Sequence, residues 1–400
     1  MATRVSTKEW RKTRLVDACD LNMGQSPDSK TYNNTGEGLP FFQGKTDFGR
    51  RHPSVRIYCS DPKKVVDVGD ILISVRAPVG PVNIADAKSC IGRGLAGLRS
   101  KNEVLDQDFL YFELLLNEKS IASLGSGSTF HAINKSQLAD LEFDLPSLPE
   151  QKAIARVLTT VQDAIAEQEN LIAKLKELKR SMMQHLFTHG TQGEVTKMTE
   201  IGEIPESWAI EKLGDICETS SGGTPSRTKK EYYSGHILWV KSGEMNDGYI
   251  SDSEEKITRE AVENSSAKLF ESGTLLIAMY GATAGKTAII SREATTNQAV
   301  CGIFKNSRVD LEFIRYALIL RRGFLLDQRH GGAQPNLSQT SIRNLYIPLP
   351  KIEEQEKISN SLIAIEKKIV STRVKLASYQ SLFKTLLHEL MSGEVRIKNI

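Results

Sequence analysis

Cysteine is scarce and scattered. Cys19, Cys59, Cys90, Cys217 and Cys301 form no Cys-x-x-Cys pair and have no histidine at metal-ligand spacing, which excludes a disulfide framework and a zinc site. Such usage points to a reduced, cytoplasmic protein. Long apolar runs are missing as well: Asp70-Ile-Leu-Ile-Ser-Val75 falls far short of a bilayer span. The opening Met1-Ala-Thr-Arg-Val-Ser-Thr-Lys8 has no apolar stretch of the kind a secretory signal needs. Neither charge sign dominates, with 52 basic against 49 acidic residues and a net +3. That balance excludes a dedicated non-specific nucleic-acid binder, so any such contact must come from local patches. No Pro-Pro occurs anywhere. The chain therefore lacks the Asn/Asp-Pro-Pro-aromatic tetrad with which amino-methyltransferases hold a flipped base.

What is present is a repeat. At 400 residues the chain is long enough for two or three domains. Trp10, Leu15, Asp17, Cys19, Gly24 and Pro27 return, with every spacing kept, as Trp208, Leu213, Asp215, Cys217, Gly222 and Pro225. Phe41 maps onto Trp239 at the same offset. Beyond it the second copy is six residues longer, and Gly69-Asp-Ile-Leu-Ile73 lies over Gly273-Thr-Leu-Leu-Ile277. Leu138, Leu145-Pro146 and Gln151 then match Ile342, Leu349-Pro350 and Gln355. The extra residues belong in a surface loop.

Each copy has two parts. The bodies, 1–148 and 204–352, mix short apolar stretches with Gly, Pro and Asn turns, which predicts strands with a few helices. Val65–Val68 and Ile71–Val75 are expected strands; Phe109–Leu116 and Phe313–Leu320 are expected buried helices. Trp10, Trp208, Cys19 and Cys217 are expected in the core. The second parts, 149–188 and 353–392, carry an apolar heptad seam uninterrupted by Pro or Gly. In the first it runs through Ile154, Leu158, Val161, Ile165, Gln168, Ile172 and Leu175, and on to Met182 and Leu186 with Lys179 at one d position. In the second it runs through Ile358, Leu362, Ile365, Ile369, Thr372 and Leu376. Some 37 residues of helix make a rod of about 55 Å. A linker, 189–203, and a tail, 393–400, complete the chain. The fold class expected is α/β (α+β) by internal duplication, with the two long helices pairing as an antiparallel coiled coil. Gln168 and Thr372 fall in the same heptad and either fix its register or are tolerated defects.

Two similar bodies joined by paired helices suit a reader of two sites along something extended, DNA half-sites above all. The chain resembles the specificity subunits of type I restriction–modification enzymes. The residues that carry the likeness are Gly69-Asp-Ile-Leu-Ile-Ser74, Gly273-Thr-Leu-Leu-Ile277, and the helix starts Leu145-Pro-Ser-Leu-Pro-Glu-Gln-Lys-Ala-Ile154 and Leu349-Pro-Lys-Ile-Glu-Glu-Gln-Glu-Lys-Ile358. The resemblance implies two target-recognition domains that read the halves of a bipartite asymmetric site in double-stranded DNA. It implies a coiled coil that sets the unread spacer and docks two copies of the modification (methyltransferase) subunit, with a restriction subunit joining them. The chain itself would be non-catalytic and would direct adenine-N6 methylation and endonuclease activity. It would use no cofactor, metal, membrane or small-molecule substrate. Thr274 departs from the usual acid, and Tyr280 stands where Arg76 stands in the first copy.

Candidate DNA contacts cluster where the copies diverge. Lys45, Arg50, Arg51 and Arg56 lie in a stretch, 43–64, of local net charge +4, and Arg227, Lys229, Lys230 and Lys241 in one, 227–241, of +3. Gln43, Lys45, Lys241 and Ser242 follow the Phe41/Trp239 anchor and are the strongest individual candidates. Arg76 and Lys286 sit in Gly-containing turns past paired strands. Arg93 aligns with Gln298, and each reads equally as a DNA contact or a structural hydrogen-bonder. The glycine loops 125–129 and 331–335 either approach phosphate closely or are shared architecture. Gly281-Ala-Thr-Ala-Gly-Lys-Thr287 has three residues between its glycines where a phosphate-binding loop needs four, so ATP binding is excluded.

Overall fold

A strand buried on both faces organises each half of the chain. The computed structural model describes residues 10–125, 132–327 and 337–397; the glycine-loop residues 126–129 and 331–335 lie outside these. The chain divides into two compact units, Met1–Asn170 with Arg373–Ile400, and Leu171–Thr372. Each unit holds one globular body and part of both long helices, Leu148–His189 and Ile352–Met391. The helix bounds fall within a residue of those the heptads mark out.

In the first unit the central strand is Ile71–Ser74, and all four of its residues are buried. Successive side chains leave a strand on opposite faces. Ile71 and Ile73 accordingly join a core built on the helix Gln107–Leu116, while Leu72 packs with Phe42, Val66 and Ile91 in a second core. This is why the sequence shows a continuous apolar run there instead of alternation. The four-stranded antiparallel sheet runs Cys19–Met23, Leu95–Ser100, Ile71–Ser74, Val82–Ile84. A second sheet places Leu39–Phe42 parallel to Ser89–Ile91, with Phe41 opposite Cys90. The turn into the central strand needs Gly69, whose φ of +88° suits no residue with a Cβ. Asp70 follows it, accepting from Arg99 Nε at 2.7 Å.

The second unit repeats this plan. Thr219–Ser221, Val300–Ile303, Leu275–Ala278 and Thr287–Ile290 stand in the same order, and Ile237–Val240 runs parallel to Ala294–Thr296. Gly273 again has φ +88°. Thr274 replaces Asp70, and its hydroxyl bonds Glu271 O at 2.7 Å instead of an arginine. Phe304, packed edge-on against Phe270, stands where Arg99 does in the first unit, so acid and base were exchanged together. The longer segment between Trp239 and Gly273 contains an edge strand, Gly248–Ile250, and a helical turn, Arg259–Glu263, capped by Thr258. Trp208, Cys19 and Cys217 are buried; Trp10 is half-buried. All five cysteines are buried thiols, and burial pushes Cys90 and Cys217 up to about 11 and Cys19 and Cys301 up to about 12.

A buried glutamine fixes where each long helix leaves its body. Gln151 Oε1 accepts from Asp106 N at 2.8 Å while its Nε2 donates to Val104 O and Pro146 O at 3.1 and 3.0 Å. Gln355 does the same with Asp310 N, Arg308 O and Pro350 O at 2.9, 3.1 and 2.9 Å. Within the second unit the helices run antiparallel: Lys179 bonds Glu366, and Thr191 N bonds Glu354. Within the first, Glu150 bonds Arg396, and Phe383 meets Phe112 at 6.1 Å between ring centres. The seam residues from Ile154 to Leu175 and from Ile358 to Leu376 are all buried or half-buried. Thr372 spends its hydroxyl on Lys368 O of its own helix at 2.7 Å. The cross-helix polar link is instead Lys179–Glu366, to which the fully buried Arg315 donates at 2.8 Å. Burial opposes charge on Glu366, but Arg315 and Lys179 outweigh it and hold the carboxyl below its usual range.

Among the described residues no helix is long and apolar enough to cross a membrane, and no cluster of His, Cys, Asp or Glu could hold a metal ion. One ionisable group stands apart. Glu113, on the helix Gln107–Leu116, is buried with one carboxyl oxygen unpartnered, and burial pushes it up to about 8. Its folded state therefore holds a proton that the unfolded state releases near pH 4.3. Stability from this site falls as pH rises from about 4.5 to about 8. Glu113→Gln removes the titration, so its melting temperature is expected to gain on the parent between pH 5 and pH 8. Parallel curves across that range would place the proton elsewhere.

Candidate nucleic-acid interface

Four chain segments of the first unit converge at one end of the parallel strand pair. Gly92 N donates to Phe42 O at 2.8 Å, Gln25 N to Ile91 O at 3.1 Å, and Val75 N to Gly94 O at 2.9 Å. The crossings are tight. A Cβ on Gly24 would lie 2.2 Å from Gly92 O, and one on Gly94 2.2 Å from Gln43 O, so only glycine fits. Asp47, buried, accepts from Gln43 N at 2.7 Å and from Arg56 Nε at 2.9 Å, which sets the turn Lys45–Asp47. Beneath lies the anchor, with Phe41 against Tyr32 at 4.8 Å.

The convergence opens a cleft of about 760 Å³. Gln43, Lys45, Arg76 and Arg93 all line it, together with the hydroxyls of Ser26 and Thr46. Among the described residues no Asp or Glu lines it, and all four candidates are exposed. Among the described residues, the side chains of Lys45, Arg76 and Arg93 have no carboxylate partner. Three unpaired cations around hydroxyl-bearing walls suit a polyanion, with the arginine forks also matching base edges. Ser26 and Thr46 escape a search keyed to positive charge; the signal for Ser26 was its place between Gly24 and Pro27 of the shared motif.

The other first-unit candidates are engaged elsewhere. Arg50 pairs with Glu169 on the long helix. Arg51 donates to Asp108 at 2.8 Å and to Gln162 at 3.3 Å, with its guanidinium 5.6 Å from the centre of the Tyr111 ring. Arg56 is tied to Asp47. These ion pairs set the three apart from the cleft-lining candidates: Arg50 and Arg51 brace the loop against its own unit, and Arg56 braces the turn.

The second unit builds the same frame with different side chains. Asn297 N donates to Val240 O at 3.0 Å, Gly223 N to Thr296 O at 2.9 Å, and Met279 N to Ala299 O at 2.8 Å. Glu244 accepts from Lys241 N at 2.8 Å as Asp47 does from Gln43 N, so the turn Ser242–Glu244 matches Lys45–Asp47. By these bonds Ser242, Tyr280 and Gln298 occupy the places of Lys45, Arg76 and Arg93. Gln298 is bonded to Thr224, and Tyr280 is 36 % exposed. Lys241 is neutralised by Glu254 at 2.7 Å and Glu255 at 3.2 Å. Arg227 is pinned by Glu255 over the Tyr233 and Trp239 rings at 4.2 and 4.8 Å, and Lys229 donates to Tyr232 Oη at 2.8 Å. Lys230 is exposed and Lys286 half-buried.

Residues 7–177 and 205–377 each match the family model described as the type I restriction modification DNA specificity domain. The putative type I restriction enzyme MjaX specificity subunit of Methanocaldococcus jannaschii is 48 % identical over 166 residues, which is 42 % of this chain and 39 % of that protein. The MjaVIII specificity subunit of the same organism is 27 % identical over 405 residues, covering 98 % of this chain and 94 % of the relative. The fold is that of a type I restriction-modification system S subunit from M. genitalium, whose crystal structure aligns with a TM-score of 0.66 at 19 % identity over 95 % of this chain and 96 % of that one.

The placement of Arg51 has a measurable consequence. Arg51→Ala is expected to cost about 1–2 kcal/mol of stability through the lost bond to a charged partner. The salt dependence of DNA binding should not change. A salt slope smaller by about one with unaltered melting would return Arg51 to the interface.

Proposed function

Because the chain belongs to the type I restriction modification DNA specificity domain family, we propose that it is the subunit that gives such a complex its target sequence. Each globular body reads one half of a bipartite, asymmetric site in double-stranded DNA. The paired helices set the unread gap and dock two methyltransferase subunits, which modify adenine N6; a restriction subunit adds cleavage. The chain contributes recognition and no chemistry of its own. One observation supports this reading above the rest: two bodies share a backbone frame bond for bond, yet carry different side chains at the tips that frame presents. A scaffold would have no use for that difference, whereas a reader of two unlike sequences requires it.

The direct test is a genome-wide map of methylated adenines in host cells with and without this gene. Methylation at one gapped, asymmetric motif is expected to vanish with the gene. An unchanged map, with the gene expressed and its partner subunits present, would refute the assignment. The gap has its own test. Deleting 168–174 and 372–378 together removes one heptad from each helix and about 10.5 Å of length. At 3.4 Å per base pair the gap should shorten by about three while both half-sites persist. Altered half-sites with an unaltered gap would separate the helices from the spacing.

A further inference from the structure

The three places matched by backbone bonds differ in a consistent direction. Lys45, Arg76 and Arg93 are cations in the first unit; Ser242, Tyr280 and Gln298 are neutral in the second. Lys241, which adjoins Ser242, is held by Glu254 and Glu255. Among the described residues no carboxylate neutralises Lys45, Arg76 or Arg93 in this way, and none lines the cleft. The two faces therefore suit base edges of different chemistry.

An arginine fork bonds the O6 and N7 acceptors of guanine, whereas the glutamine amide, one donor and one acceptor, matches N6 and N7 of adenine. Arg93 and Gln298 stand on the same backbone position, each in the loop leaving the parallel strand and each exposed. Arg76 and Tyr280 likewise follow equivalent strands. Arg93 uses its backbone N, not its side chain, to bond Ser26, so the guanidinium is left for a ligand; Gln298 Oε1 accepts from Thr224 Oγ1, which orients the amide and leaves Nε2 and the second lone pair of Oε1 for a base. We infer that the first body reads a guanine-containing half-site through Arg93 and Arg76, and that the second reads adenine through Gln298. The inference rests on the proposed reading of these faces as DNA contacts and adds which base each one selects.

The test uses the full chain in its complex in host cells, mapping methylated adenines for the parent, R93Q, R76Q and Q298R. R93Q or R76Q is expected to relax or change a guanine in one half-site, leaving the gap and the other half intact. Q298R is expected to alter the opposite half, replacing adenine with guanine. A variant that loses all methylation is followed by melting and by full-chain binding to duplexes differing only at that base. With melting unchanged, the parent should prefer guanine there by roughly 5- to 150-fold, the range one bidentate pair supplies, and R93Q should not. Variant maps identical to the parent's, or a parent half-site without guanine, would overturn the inference. So would equal loss on every duplex with a smaller salt slope, which marks a phosphate contact. A parent map indifferent to the gene's deletion would instead sink the DNA-reading assignment itself, and this inference with it.

Discussion

The attachment of each long helix through Gln151 or Gln355 is the constraint on which the rest depends. Each amide satisfies three backbone groups contributed by two separate segments, so it clamps the loop before a short buried helix to the first turn of the long one. A shorter amide cannot span those three partners, and a hydrocarbon would orphan them at about 1–3 kcal/mol each. Because the clamp sets the helix direction relative to the sheet, it also decides which seam residues meet the core. Ile154 and Leu158 enter the first core, Ile358 and Leu362 the second.

Above that clamp the body is built to be rigid in its frame and permissive at its tips. The doubly buried central strand leaves no freedom of register, since a one-residue slip would exchange the contents of two cores. The crossing at Gly24 and its counterpart Gly222 locks the loop against the parallel strands. Past the last of these bonds the side chains face outward and carry no packing duty. Asp70–Arg99 in the first unit and Thr274 with Phe304 in the second are alternative occupants of matched positions, of which Asp70 and Thr274 are buried. Beneath Lys45 and Ser242 the turn keeps its form with Asp47 in one unit and Glu244, one residue nearer to its backbone donor, in the other.

Much of this was legible in the residues because it is periodic or duplicated. The heptads marked both helices, and Ile71-Leu-Ile73 marked the central strand. The candidate interface was only half legible, for a physical reason. A count of cations along the chain does not see carboxylates distant in sequence. Arg50 and Arg51 find Glu169 and Asp108 far along the chain, whereas Lys45, Arg76 and Arg93 find none among the described residues. In the second copy Glu254 and Glu255 lie just beyond the stretch whose charge was counted, and they cancel it. What distinguished the free cations was their place after strand ends matched between copies. The partition into units was also not legible as such, since each repeat donates the far part of its helix to the unit built on the other.

That donation orders events during synthesis. The second unit is one continuous stretch, Leu171–Thr372, and has every residue of its core once the ribosome has passed it. The first is made earliest yet stays unfinished longest, because Phe383, Leu386, Leu390 and Met391 close it from the end of the chain. Until they arrive, the side of the first core that they cover, including the edge of Phe112 turned to Phe383, stands open. Contacts of such long sequence separation form slowly. The nascent protein thus carries an exposed hydrophobic face for more than half of its translation, a natural point of engagement for a chaperone.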